Sequence, residues 1–164
     1  MTEVEELLER FRRGGELLAS LTTGAAGAEL DFHPAEERWS VRQIVCHLMD
    51  TELMAHGRLS ALIAEDNPAI VSFDGGAWAS KLNYRQRKFS MAVELYRRMI
   101  AENYELLKEQ PTDAWSRTGV HSVTGQITLL QFFRDHVQHA EDHMLEVRET
   151  RQQYKAFKLA GVSA

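Results

Sequence analysis

The chain has one cysteine, Cys46, and three prolines, Pro34, Pro68 and Pro111. A single cysteine excludes an internal disulfide and every cysteine-rich zinc motif. No block of basic residues occurs, and 19 Lys and Arg against 24 Asp and Glu leave a net charge of -5. Nucleic-acid binding and adhesion to an anionic membrane both need a basic surface, so both are disfavoured. No apolar run approaches the ~20 residues of a membrane-spanning helix. The N-terminal stretch MTEVEELLERFRR is too acidic and too charged for a signal peptide. The expectation is a cytoplasmic protein. Its 164 residues, 44% hydrophobic and 26% charged, suit one globular domain over 1–164 with a real core. Seven histidines beside one cysteine turn any metal chemistry towards imidazole ligands.

Four stretches carry helical periodicity. Thr2 to Leu21 repeats Leu and Phe at three and four, and Thr2 with Glu5 has the spacing of a capping box. Gly14 and Gly15 interrupt it, which signals a bend or a close neighbour. Ser40 with Gln43 has the same capping spacing and predicts a second helix from Val41 to about Glu65. A third is expected from Tyr84 to Gln110, stopped by Pro111, and a fourth from Thr124 or Gly125 onward. Residues 152–164 are either its last turns or a frayed tail, with Gly161 favouring fraying. Between the helices lie connectors at 22–38, 66–83 and 112–125. The second carries turn signals at Asn67-Pro68 and Gly75-Gly76. Val120 to Val123 is too short to imply a sheet. The fold class is therefore all-α, a four-helix bundle with long inter-helix loops.

The last helix carries His136, His139 and His143 on one flank of the apolar stripe Leu129, Phe133, Ala140, Met144 and Val147. The second helix carries His47, beside Leu48 and three residues after Ile44. Facing helices stand ~8–10 Å apart, so imidazoles from both reach a shared ion. An inward imidazole without a partner costs roughly 1–3 kcal/mol, which argues for something that binds the group. His139 and His143, four apart, match helical zinc motifs. His136 and His139, three apart, also fit, whereas His136 and His143 are ~10.5 Å apart along the axis and cannot share an ion. His139 is common to both pairs. With His47, three ligands leave a fourth position open, the pattern of a catalytic site. Asp50, one turn after His47, is the candidate base or hydrogen-bond partner of a ligand, with Glu52 behind it. Cys46 is turned away and expected to be a buried hydrophobe. His33 and His56 read as surface residues, His121 as exposed or at the mouth of the site, and Trp78 as a substrate wall.

The runs WSVRQIVCHLMDTE and DHVQHAEDHM, in this order and at this distance, resemble the two helix motifs of the DinB/YfiT-like proteins. Where many of those proteins carry a further histidine, this chain has Ala140. The resemblance implies a four-helix bundle, often dimeric, with nickel or zinc on three histidines. Carried over by position, these are His47, His139 and His143. It implies hydrolysis, or transfer to a low-molecular-weight thiol such as bacillithiol. Two readings follow: a metal-dependent hydrolase or thiol S-transferase acting on a small molecule, or a non-catalytic metal-binding dimer. A third is that no metal binds and the histidines only pack.

Overall fold

The computed structural model describes residues 1–162. Four long helices form the body: α1 (Glu3–Thr22), α3 (Val41–Ala64), α5 (Phe89–Lys108) and α6 (Leu129–Val162). Two short ones lie in connectors, α2 (Ala28–Asp31) and α4 (Gly75–Lys81). Both capping boxes foreseen in the sequence are formed, Thr2 with Glu5 and Ser40 with Gln43. Each satisfies two helix-start amides that would otherwise lack a partner.

Helix α1 packs on α5 and α6, and α3 packs on the same two. The successive long helices α1 and α3 are therefore diagonal, and the 22–38 connector crosses between them. Leu7, Phe11 and Leu18 of α1 meet Ile44, Leu48, Leu59 and Leu62 of α3, with Tyr96, Ile100 and Leu107 of α5, in one core. The predicted stripe of α6, Leu129, Phe133, Ala140, Met144 and Val147, is buried throughout. The glycine pair in α1 lies against neighbouring helices: a Cβ on Gly15 would stand 3.5 Å from the Arg97 backbone, an ordinary packing distance.

Several expectations are corrected. A small sheet exists, built of β1 (Ala69–Ile70), β2 (Thr118–His121) and β3 (Gly125–Thr128). β1 pairs parallel with β2, and β2 antiparallel with β3. β1 finds its partner β2 about 50 residues along the chain, which periodicity within a window cannot report, and β2 and β3 form a hairpin of only four residues a side. Gly119 permits the joint, because a Cβ there would lie 2.8 Å from the Pro68 carbonyl oxygen and 2.9 Å from Leu62. The 66–83 loop holds α4, started by the Asp74 carboxylate on the Ala77 amide. Helix α5 begins at Phe89, not Tyr84. Asn83 takes a left-handed conformation (φ 50°), and residues 84–86 form a 3-10 turn that buries Tyr84. Helix α6 begins at Leu129, since Gly125–Thr128 is committed to the sheet. There Thr128 and Gln131 exchange the reciprocal bonds of a third capping box. The helix runs through Gly161 to Val162, so 152–162 are helical and the last two residues of the expected tail lie outside the described residues. No helix among them is long and apolar enough to cross a membrane.

Candidate metal centre

The middle of α3 brings His47 against His139 and His143 on α6. One ring nitrogen from each lies within 4.8 Å of the other two. His47 Nε2 and His139 Nε2 are 3.1 Å apart. The three rings stand edge to face, with centroids 4.5 to 5.3 Å apart. His136 is not part of this group. Its Nε2 lies 2.8 Å from Glu52 Oε2, so of the two pairs open in the sequence, the structure gathers the i, i+4 pair.

Burial pushes the pKa of His47 down to about 3, helped by the neighbouring His143 and His139. Burial likewise takes His139 down to about 4, with His143 and His136 adding to it and Asp142 and Glu146 opposing. Both rings are thus neutral at physiological pH, the form in which imidazole offers a lone pair to a metal. Nitrogens held at ~2.1 Å by one tetrahedral ion lie ~3.4 Å apart, so the observed closeness suits a shared divalent cation.

The surroundings hold the rings in place. His143 Nδ1 lies 3.0 Å from Glu146 Oε2, which leaves its other nitrogen for a ligand. Trp39 stacks on His143 at 6.1 Å and tilts against His47 at 5.0 Å. Gly75, opening α4, fits closely on His47: a Cβ would lie 3.0 Å from its Cε1. His47 Nδ1, on that side, is buried without a hydrogen-bond partner. Glu146 and Trp39 were not singled out as site residues from sequence. The signal for Glu146 was its position three residues after His143, within reach on one helix face.

Asp50 is placed elsewhere. Its oxygens accept from the Tyr84 hydroxyl at 2.7 Å and from Arg87 at 3.0 and 2.9 Å, and no triad imidazole is among its partners. Residues i+3 and i+4 lie on opposite flanks of the face of His47, and it is i+4 that meets the ring: Thr51 Oγ1 lies 3.4 Å from His47 Nε2. Glu52 is fully buried and joins another cluster, accepting from Asn103 Nδ2 at 2.6 Å and facing His136. His56, expected on the surface, is half-buried with Nδ1 2.7 Å from Asn103 Oδ1. Cys46 is buried as expected, and burial pushes its thiol up to about 11. Trp78 packs on Phe73 at 4.4 Å.

A cavity of about 370 Å³ opens beside the triad. His47 and His139 line it, with Phe73, Arg58, His121 and His136. An open ligand position facing such a cavity is what a metal site needs in order to act on a bound molecule.

Fold and site together define a helical bundle with a three-histidine centre. The chain belongs to the DinB superfamily, whose family model matches residues 10–147. It is 28% identical over 148 residues to a protein of Oceanobacillus iheyensis named as a putative metal-dependent hydrolase, covering 88% of this chain and 83% of the relative. It is 26% identical over 147 residues to the Putative metal-dependent hydrolase YfiT of Bacillus subtilis, covering 89% and 79%. The solved structure of YfiT, described as a four-helix bundle of unusual topology, superposes with a TM-score of 0.87 at 21% identity. It covers 94% of this chain and 90% of YfiT, and shows that the fold is shared.

Proposed function

We propose that this protein is a metal-dependent enzyme of small molecules, with His47, His139 and His143 as the ligands of one nickel or zinc ion. The observation that carries the reading is the convergence of three imidazoles, two of them kept neutral by burial, at the wall of a cavity. The names of the relatives favour hydrolysis, and the open position suits a low-molecular-weight thiol equally. When bound, the ion supplies Lewis-acid activation of a nucleophile, lowering the pKa of a water to ~7 in favourable zinc sites.

The chain's own residues supply positioning. Glu146 fixes the ring of His143, and Trp39 covers two of the rings.

Elemental analysis of protein purified without a histidine tag should find one divalent metal per chain. Metal-loaded protein should then hydrolyse model esters or amides, or conjugate thiols to model electrophiles. Stoichiometric metal with silence in every assay would favour a non-catalytic metal-binding module.

A further inference from the structure

The cavity beside the triad contains an arginine that the fold leaves without a counter-charge. Arg10, Arg42, Arg87, Arg117 and Arg151 are half-buried, and each has a carboxylate oxygen within 4.0 Å. Arg58 is also half-buried, and among the described residues it has no carboxylate partner. Its Nε is buried without any hydrogen-bond partner. One Nη donates to the Val71 carbonyl, and the guanidinium lies 5.6 Å from the centre of the Phe73 ring. These contacts hold the group in place and offset its charge only in part, through a carbonyl dipole and a ring face, with no anion opposite it. A fixed, partly desolvated cation is costly to keep unless something anionic meets it.

The neighbouring polar groups are set as donors. His121 Nδ1 accepts from the Val123 and Thr124 amides at 3.3 and 3.2 Å, which places its proton on Nε2. That Nε2–H meets Ser72 Oγ at 3.1 Å, so the Ser72 hydroxyl is free to donate onward. Ser72, His121 and Arg58 line the same cavity as His47 and His139. Asp135 lines it too, and its charge disfavours a doubly charged phosphate over a singly charged acid.

We infer that Arg58 and the Ser72 hydroxyl form a carboxylate-binding subsite, so that the small molecule presented to the histidine triad is a carboxylic acid. The inference rests on the proposed reading of the triad as the centre that this molecule faces.

The test uses metal-loaded protein of known metal content, titrated with acetate, with benzoate and with uncharged benzamide. Backbone amide signals are followed by two-dimensional NMR. The acids should shift Ser72, Phe73 and His121 saturably, and benzamide should not. Arg58→Gln should weaken the acids by about tenfold or more with metal content unchanged, as loss of a charge-assisted fork implies. Arg58→Lys should recover part of the loss, keeping charge without the fork. Ser72→Ala should cost roughly threefold, and thermal melts check that each variant folds. No saturable shift with either acid, equal binding of benzamide, or tighter binding of inorganic phosphate would overturn the inference. Acid binding unchanged in Arg58→Lys and Ser72→Ala would do so even if Arg58→Gln failed to fold. Stoichiometric metal with Arg58→Gln binding acids as the parent does would sink the subsite alone. Acid binding that depends on Arg58 in protein that takes up no divalent metal would sink the metal reading alone.

Discussion

Two of the polar clusters that join α3 to its neighbours contain histidine. In the first, His136 faces one oxygen of Glu52, Asn103 donates to the other, and His56 meets the Asn103 carbonyl oxygen. Each of these contacts pairs a donor with an acceptor. In the second, His47, His139 and His143 gather around one point, and His47 keeps an unpartnered buried nitrogen. The first closes on itself through a carboxylate and an amide. The second gathers lone pairs at one point, and its one carboxylate, Glu146, stands behind His143 rather than among them. An imidazole is structural or functional according to what stands opposite it, and His136 and His139, three residues apart on one helix, fall on different sides of that line.

Breaking the two clusters should have opposite signatures. The largest effect is expected from His139→Ala, which removes the ligand central to the triad. Metal content should fall from one per chain to near zero, while the Tm of metal-free protein stays close to the parent's. Metal retained at full stoichiometry would show that the ligand set is wrong.

Glu52→Ala should do the reverse. It strands two buried partners and should cost about 3 kcal/mol, a fall in Tm of roughly 6–12 °C, with metal content kept. A stable variant that had lost its metal would merge the two clusters into one site.

Glu146→Gln should weaken metal binding by about 10–100-fold without unfolding the bundle, as expected for a carboxylate that orients a ligand imidazole. Competition with a chelator of known affinity measures this. An unchanged affinity would remove Glu146 from the site.

The smallest effect concerns pH in metal-free protein. The folded pKa values of His47 and His139, about 3 and about 4, lie below the ~6.5 of an unfolded histidine. Between those values the unfolded chain binds more protons, so stability is fully present above ~6.5 and is lost as pH falls. Thermal melts from pH ~7 to ~5 should slope downward, and less so in a variant with glutamine at both positions. Equal slopes would mean that burial does not hold these rings neutral.

Much of this architecture was readable along the chain. Thr2 with Glu5 and Ser40 with Gln43 mark the starts of α1 and α3, because a capping box is a contact between residues three apart. Thr128 with Gln131 carried the same signal for α6 and was masked by expecting the helix at Thr124. The i, i+4 pair of His139 and His143 was legible for the same reason. Asp50 was misread because a spacing of three and a spacing of four both count as one turn, and only the packing of Tyr84 and Arg87 shows which flank Asp50 takes.

The sequence by itself determined the four long helices, their buried stripes and the presence of three histidines able to share an ion, since all of these follow from periodicity and neighbours within a turn. Tertiary structure alone decided that His136 goes to Glu52, that Gly75 and Trp39 close over His47, and that β1 and β2 bring Ser72 and His121 to the cavity that also holds Arg58. Those outcomes depend on groups distant along the chain meeting in space, and the free energy that selects them comes from desolvation and pairing, which have no period to read.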